Sequence, residues 1–98
     1  MNLVKSWRVQ NTKLMDQRRN EPCVITGNYP PNDPHHIKSR GAMGDDVEWN
    51  IVSLKHELHQ EFHKIGINSF AKKYPKFEAW LIANGWTWDE FRKKWHTP

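Results

Sequence analysis

The chain has 98 residues, 37% of them hydrophobic and 27% charged, a length that suits one domain and is too short for two. No apolar run approaches the roughly 18 residues of a membrane span, and nothing after Lys5 resembles the apolar stretch of a secretory signal. Cys23 is the single cysteine, which excludes an intramolecular disulfide and a cysteine-based zinc ribbon. We therefore expect one cytoplasmic domain over residues 1–98, with no membrane partner.

Basic residues are concentrated at the two ends of the chain. Residues 1–20 contain five Lys or Arg and one Asp, and residues 71–98 contain six Lys or Arg and three Asp or Glu, whereas residues 21–50 contain two basic and five acidic residues. The formal net charge is +4. This balance is compatible with a polyanionic partner, although it also occurs as a plain solubility feature.

The N-terminal part of the chain predicts a helix, a strand and a loop. Asn11 is placed to cap a helix over residues 12–19, which Pro22 prevents from continuing. The apolar and partly β-branched residues 23–26 predict a brief strand, and the dense turn formers of residues 27–34 predict an ordered loop.

Two strands and a helix are predicted next. Residues 35–39 suit an extended segment, and residues 47–52 alternate at the strand period of two. From Leu54 to Ile65 the apolar residues recur at intervals of four, four and three, which indicates a helix, and Gly66 follows as a natural stop. The predicted order is therefore strand, strand, helix.

The last third of the chain is predicted to be helical. One short helix ends before Pro75, a second begins at that proline and ends near Gly85, and the capping-box pattern of residues 87–90 predicts a final helix. Phe91 and Trp95 are expected to pack inward from this last helix. The fold class expected from all these elements is α+β, as one small domain.

Histidines carry the clearest chemical signal, since five of them lie within 29 residues. His59 and His63, four apart on the predicted helix, project from one face and could bind one metal ion. His35 and His36 are adjacent on an extended segment, so they point to opposite faces and at most one joins the same site. His56 and His59 are an alternative pair at a spacing of three.

The spacing of these residues resembles the HNH endonucleases. Asn50 follows the pair His35 and His36 by fourteen residues counted from the second histidine, His59 comes nine residues later, and His63 four residues after that. The resemblance covers about residues 22–66 and extends to small phage-encoded members of the family. It implies a ββα-metal centre, here flanked by N-terminal and C-terminal helices, the latter over about residues 67–98.

The resemblance also implies a role for each residue of the motif. His35, His59 and His63 would be the metal ligands, His36 the general base, and Asn50 the brace of the hairpin that orients this base. A neutral imidazole is suited to proton transfer because its ordinary pKa of about 6.5 is close to working pH, and three ligands leave coordination positions open.

The function implied by the resemblance is metal-dependent hydrolysis of DNA phosphodiester bonds inside a bacterial or phage-infected cell. One divalent ion, Mg²⁺, Mn²⁺, Ni²⁺ or Zn²⁺, would stabilise the transition state and the leaving group, and RNA is not excluded as a substrate. The alternative is a catalytically silent HNH-like module for nucleic-acid binding or assembly. A third reading is a transition-metal binding protein without nucleic-acid affinity.

The chain departs from the family in one respect. Many relatives hold a structural zinc ion on two cysteine pairs, and the matching positions here are Cys23 with Thr26 and Lys55 with Leu58. Packing must replace this zinc ion. Asp33 is a candidate partner that would orient His35.

Candidate DNA contacts are basic residues next to the motif and at the two ends of the chain. They are Lys38, Arg40, Arg18, Arg19, Lys72, Lys73, Lys76, Arg92, Lys93 and Lys94.

Overall fold

Three α-helices and two small antiparallel sheets form the described part of the protein, residues 8–98 of a computed structural model. The predicted α+β class is confirmed. The expectation about a secretory signal concerns residues 1–7, which lie outside the described residues. Within residues 8–98 the structure contains no helix that is both long enough and apolar enough to cross a membrane. The elements in chain order are α1 (Thr12–Arg19), β1 (Asp33–His36), β2 (Ile51–Leu54), α2 (His56–Lys73), α3 (Pro75–Ala83), β3 (Thr87–Asp89) and β4 (Lys94–His96).

Helix α1 has the predicted bounds and cap. The Asn11 side chain accepts a hydrogen bond from the backbone N–H of Leu14, and Leu14 is buried. Arg18 connects the helix to the first sheet, since its guanidinium donates to the carbonyl of Ile51 at 2.8 Å and to that of Glu48 at 3.1 Å. The helix is therefore fixed against the first sheet.

Strands β1 and β2 form an antiparallel pair in which His35 lies opposite Val52 and His36 opposite Ile51. All four residues of β2 are buried. The second strand begins at Ile51, later than the alternation from Val47 predicts, because the preceding residues form a turn closed by the bond from the Asn50 N–H to the Val47 carbonyl.

The strand predicted over residues 23–26 is wrong. These residues form a tight turn, in which the Gly27 N–H donates to the Cys23 carbonyl at 2.8 Å. Gly27 has a φ of 72°, in the left-handed region that favours glycine. The turn returns the chain so that the Cys23 N–H bonds to the Asn28 carbonyl, and Cys23 itself is buried.

Helix α2 starts at His56 because the strand pairing of β2 continues through Leu54. Gly66 interrupts the helix where the sequence predicts a stop, with a φ of 81°. The chain resumes helical geometry at once and continues to Lys73, and α3 then begins at Pro75 as predicted. The two parts of α2 thus meet at a kink.

The final helix predicted after Thr87 is wrong, since β3 and β4 form a hairpin there. Asp89 caps only a single turn, with its side chain accepting from the N–H groups of Phe91 and Arg92 at 2.9 Å each. Lys93 then takes a φ of 55°, which ends any helical continuation. Phe91 is 94% exposed, so the prediction that it packs inward is also wrong.

The hydrophobic core lies between the first sheet and helices α2 and α3. Trp86 closes one side of it and donates from its indole nitrogen to the Trp49 carbonyl at 2.6 Å. Phe62, Phe70 and Phe77 contact one another edge to face. The buried members are Cys23, Val52, Leu54, Phe62, Phe70, Ala71, Phe77, Leu81 and Trp86.

Candidate metal centre

Three histidine rings meet where the first sheet faces α2. Strand β1 directs His35 into the protein, where it is 2% exposed, and its ring centroid lies 4.6 Å from that of His59 and 5.1 Å from that of His63. Among the described residues, His35 Nε2 is the one buried side-chain nitrogen or oxygen without a hydrogen-bond partner. An unpaired buried polar atom is costly unless something binds it.

The ring nitrogens of this cluster are close enough to share one ion. His59 Nε2 and His63 Nε2 are 3.1 Å apart, and one nitrogen from each of the three rings lies within 4.8 Å of the others. Two imidazole nitrogens that bind one tetrahedral ion at about 2.0 Å are separated by about 3.3 Å. His63 is exposed whereas His35 is buried, so the cluster opens toward solvent on one side. The donor set therefore fits a divalent transition metal with open coordination positions.

Asp33 orients His59, not His35 as the sequence had suggested. Its Oδ2 accepts a hydrogen bond from His59 Nδ1 at 2.8 Å, which leaves His59 Nε2 facing the cluster as an acceptor. The same oxygen accepts from Nδ1 of His56 at 2.7 Å. Burial raises the pKa of Asp33, but the hydrogen bonds from His59 and His56 outweigh it and the net pKa is lowered. Asp33 thus remains a carboxylate.

A second potential ligand group overlaps the first. Asp33, His56 and His59 also present ligand atoms within 4.8 Å of one another. All three are already joined by hydrogen bonds through Asp33, whereas His35 Nε2 has none. The group that contains His35 is therefore the stronger candidate.

The environment of His35 opposes protonation of its ring. Burial lowers its pKa from 6.5 to about 3, and the neighbouring rings of His59 and His63 contribute in the same direction. His35 is therefore neutral, as a metal ligand must be, through the physiological pH range.

Metal-free protein should lose stability in mild acid because of His35. Above pH 6.5 the His35 ring is neutral in the folded and in the unfolded protein. Below pH 6.5 the ring takes up a proton in the unfolded chain, whereas in the folded chain it does so only near pH 3. The free energy of unfolding therefore falls as the pH falls, by about 2 kcal/mol at pH 5. Urea unfolding in the presence of chelator, at pH 7 and at pH 5, measures this decrease in the free energy of unfolding. We expect His35→Gln to show a smaller decrease between the two pH values than wild type; equal decreases in the two proteins would contradict the assignment.

His36 points to the opposite side of β1, into a different set of partners. Its Nε2 lies 2.6 Å from Asp46 Oδ1, and Arg8 Nη2 lies 2.6 Å from the same oxygen. Arg8 also donates from Nε to the carbonyl of Gly44 at 2.7 Å. Because a carboxylate only accepts, His36 Nε2 carries the proton and Nδ1 is the acceptor nitrogen of the neutral ring.

Asp46 remains ionised in this arrangement. Burial raises the pKa of Asp46. The hydrogen bonds from the Asn11 N–H and the His36 ring, together with the positive charge of Arg8, lower it by more, so the net pKa is below the ordinary value. Its second oxygen accepts from the Asn11 N–H at 2.9 Å. The sequence pattern predicted no role for Asp46 or Arg8, because neither occupies a position of the histidine and asparagine motif.

Asn50 holds together the loop between β1 and β2. It is fully buried, its Oδ1 accepts from the Lys38 N–H at 2.7 Å, and its Nδ2 donates to the carbonyls of Lys38 and Asp45 at 3.0 Å each. Gly44 lies so close to the backbone of Lys38 that a Cβ there would meet its carbonyl oxygen at 1.7 Å. The loop that carries Asp46 is therefore tightly packed beside His36.

The candidate DNA contacts fall into two groups. The candidates whose exposed side chains have no acidic partner within residues 8–98 are Lys38, Arg40, Lys72, Lys76, Arg92 and Lys94. The others are paired with acids: Arg18 with Glu21, Arg19 with Asp16, Lys73 with Glu61 and Lys93 with Glu90.

Arg18 is the candidate most fully engaged inside the fold. Its side chain is 12% exposed, and its guanidinium bonds to two backbone carbonyls of the sheet region. Arg19 and Arg40 instead line a groove of about 400 Å³, together with Arg8 and Asp46. This groove runs beside the residues that hold His36.

Comparison with the models of known protein families, with curated proteins and with solved structures finds no match for this chain. The resemblance to the HNH endonucleases therefore depends on the spacing of its histidines and asparagine. The structure contains a cluster of three imidazoles, from His35, His59 and His63, and beside it His36, which is held by Asp46.

Proposed function

We propose that this protein is a metal-dependent DNA endonuclease of the HNH type, with a ββα-metal centre made by β1, β2 and α2. The observation that carries the proposal is the division of the His35 and His36 pair. His35 Nε2 is buried and unpaired beside two other imidazoles, whereas His36 is bonded to a carboxylate on the other side of the strand. The surroundings of His35 thus suit a metal ligand, and those of His36 suit a proton acceptor.

The residues that would hold the ion are His35, His59 and His63. A bound divalent ion would act as a Lewis acid on the phosphate and on the leaving oxygen. His59 is held in the required tautomer by Asp33, since the carboxylate engages Nδ1 and leaves Nε2 toward the cluster. The exposure of His63 keeps one side of the cluster open to a substrate phosphate.

His36 would take the proton from the attacking water at Nδ1. Asp46 fixes the ring by its bond to Nε2, and its negative charge stabilises the imidazolium that forms when Nδ1 accepts the proton. Arg8 binds the same carboxylate oxygen and keeps it in place. Asn50 supports this pair by tying Lys38 and Asp45 across the loop.

The substrate class follows from charge and from the groove beside His36. The groove is lined by three arginines and two acids, and Arg8 and Arg19 are paired with those acids, Asp46 and Asp16. Arg40 has no acidic partner within residues 8–98, so it is the arginine available to bind a phosphate that approaches the proton acceptor. The formal net charge of +4 acts in the same direction. DNA is the proposed substrate, and an RNA duplex tested in parallel would show whether the sugar matters.

Incubation of supercoiled plasmid with the protein and a series of divalent ions tests the proposal. We expect nicked or linear DNA with Mg²⁺, Mn²⁺, Ni²⁺ or Zn²⁺, and no cleavage in excess chelator or with His36→Ala. DNA binding without cleavage under any of these ions would instead favour a silent binding module. Tight metal binding without DNA affinity would indicate a metal-binding protein and would contradict both nucleic-acid functions.

A further inference from the structure

The turn of the β3–β4 hairpin presents an aromatic side chain to solvent. Phe91 is 94% exposed, more than any other large hydrophobic residue described. Exposing a whole phenyl ring in water is unfavourable compared with burying it. A side chain in such a place is available to a partner.

The turn is held in a defined shape. The Asp89 side chain accepts from the N–H groups of Phe91 and Arg92, and Asn68 on α2 donates from its side chain to the Lys93 carbonyl at 2.9 Å. Below the turn, the Trp88 and Trp95 rings of the two strands contact each other with centroids 5.6 Å apart. Phe91 is therefore carried on an ordered support, so little entropy is lost when a partner binds it.

Two unpaired cations follow the exposed ring along the chain. Arg92 and Lys94 are exposed and have no acidic partner within residues 8–98, whereas Lys93 is paired with Glu90. An aromatic side chain followed by two free cations matches a nucleic acid, in which each base lies next to a phosphate. A purely apolar protein surface would leave these two charges without partners.

We propose that residues 90–94, here named the hairpin tip, bind the same nucleic acid that the metal centre cleaves. Phe91 stacks against bases, as an apolar wedge at a base step or on a locally opened strand, and Arg92 and Lys94 bind the adjacent phosphates. The inference deepens the proposed function and depends on it for the identity of the ligand.

The hairpin tip is anchored close to the metal centre along the chain. Asn68, which bonds to Lys93, is five residues from His63, so their Cα atoms are at most about 19 Å apart. At 3.4 Å per base pair this corresponds to about five or six base pairs. The residue that anchors the tip therefore lies within the length of one short duplex from His63.

Binding of a fluorescent duplex of about 20 base pairs, measured by anisotropy in chelator to prevent cleavage, tests the inference. We expect Phe91→Ser to weaken binding about tenfold with an unchanged dependence on salt, because the ring contacts no phosphate. Phe91→Trp should retain wild-type affinity. The control Ile82→Ser, which removes a 60% exposed apolar side chain from α3, should have no effect.

A double variant tests the phosphate contacts separately. Arg92→Gln with Lys94→Gln should reduce the slope of log affinity against log salt by about 1.8, since each phosphate contact contributes about 0.9. The control Lys13→Gln removes an exposed cation that is not among the candidate DNA contacts and should leave this slope close to that of wild type.

Four results would overturn the inference. They are wild-type affinity in Phe91→Ser, an equal loss in Ile82→Ser, no duplex binding by the wild type, and a lowered melting temperature of Phe91→Ser, which would mean that the ring packs on protein. Plasmid cleavage measured in parallel separates the two proposals. Binding that depends on Phe91 without any cleavage contradicts only the nuclease, and cleavage with binding independent of Phe91 contradicts only the hairpin tip.

Discussion

Replacing His36 with alanine should abolish DNA cleavage and leave metal binding intact. The ring faces Asp46 and Arg8 and not the three-histidine cluster, so its removal takes away the proposed proton acceptor and leaves the proposed ligands in place. General base catalysis contributes about 100-fold to 10,000-fold to rates of this kind, and we expect a loss of at least about 100-fold. Plasmid cleavage gives the rate, and calorimetric titration with Ni²⁺ or Zn²⁺ should give a dissociation constant within about threefold of wild type.

Asp46→Asn is the matched variant for the support of this base. It retains the size of the side chain and an oxygen acceptor but removes the negative charge that stabilises the His36 imidazolium. We expect an intermediate loss of cleavage, about tenfold or more, again without loss of metal affinity. If His36→Ala instead fails to bind metal, the roles of His35 and His36 must be exchanged.

Short-range pattern was sufficient to predict the parts of the fold that bring the histidines together. The helical spacing of four places His59 and His63 on one face of α2, and strand alternation separates His35 from His36 across β1. Both features depend only on neighbouring residues. The cap at Asn11 was predictable for the same reason.

The contacts that support the site could not be predicted in this way. Asp46 and Arg8 reach His36 from ten and twenty-eight residues away, and no periodicity relates such positions. Asp33 was considered as a partner, but its choice of His59 over His35 depends on how β1 packs against α2. Tertiary packing, not local pattern, decides these pairings.

The error at the C-terminus has a local cause with a tertiary outcome. The capping-box pattern after Thr87 is real, but Asp89 satisfies two N–H groups within a single turn and Lys93 then leaves helical geometry. Pairing of Trp88 with Trp95 across the two strands is an alternative to a helix that propensity alone does not exclude. This outcome exposes Phe91, which a helix would have turned inward.

Metal binding should depend strongly on His63 and little on His56. His63 Nε2 belongs to the cluster with His35 and His59, so His63→Ala removes one of three ligands and should weaken Ni²⁺ or Zn²⁺ binding at least about 100-fold in calorimetric titration. His56 contacts only the outer carboxylate of Asp33 in this network, and His56→Ala should change affinity less than threefold.

The pair His56 and His63 forms a controlled comparison because both side chains are exposed on the same helix, so neither substitution should disturb the core. In His56→Ala, Asp33 keeps its bond to His59 and continues to present His59 Nε2 to the ion. Asp33→Asn, which weakens that support without removing a ligand of the cluster, should reduce affinity about 10-fold to 100-fold. A larger loss in His56→Ala than in His63→Ala would contradict this order, because the ion would then occupy the group formed by Asp33, His56 and His59, which contains neither His35 nor His63.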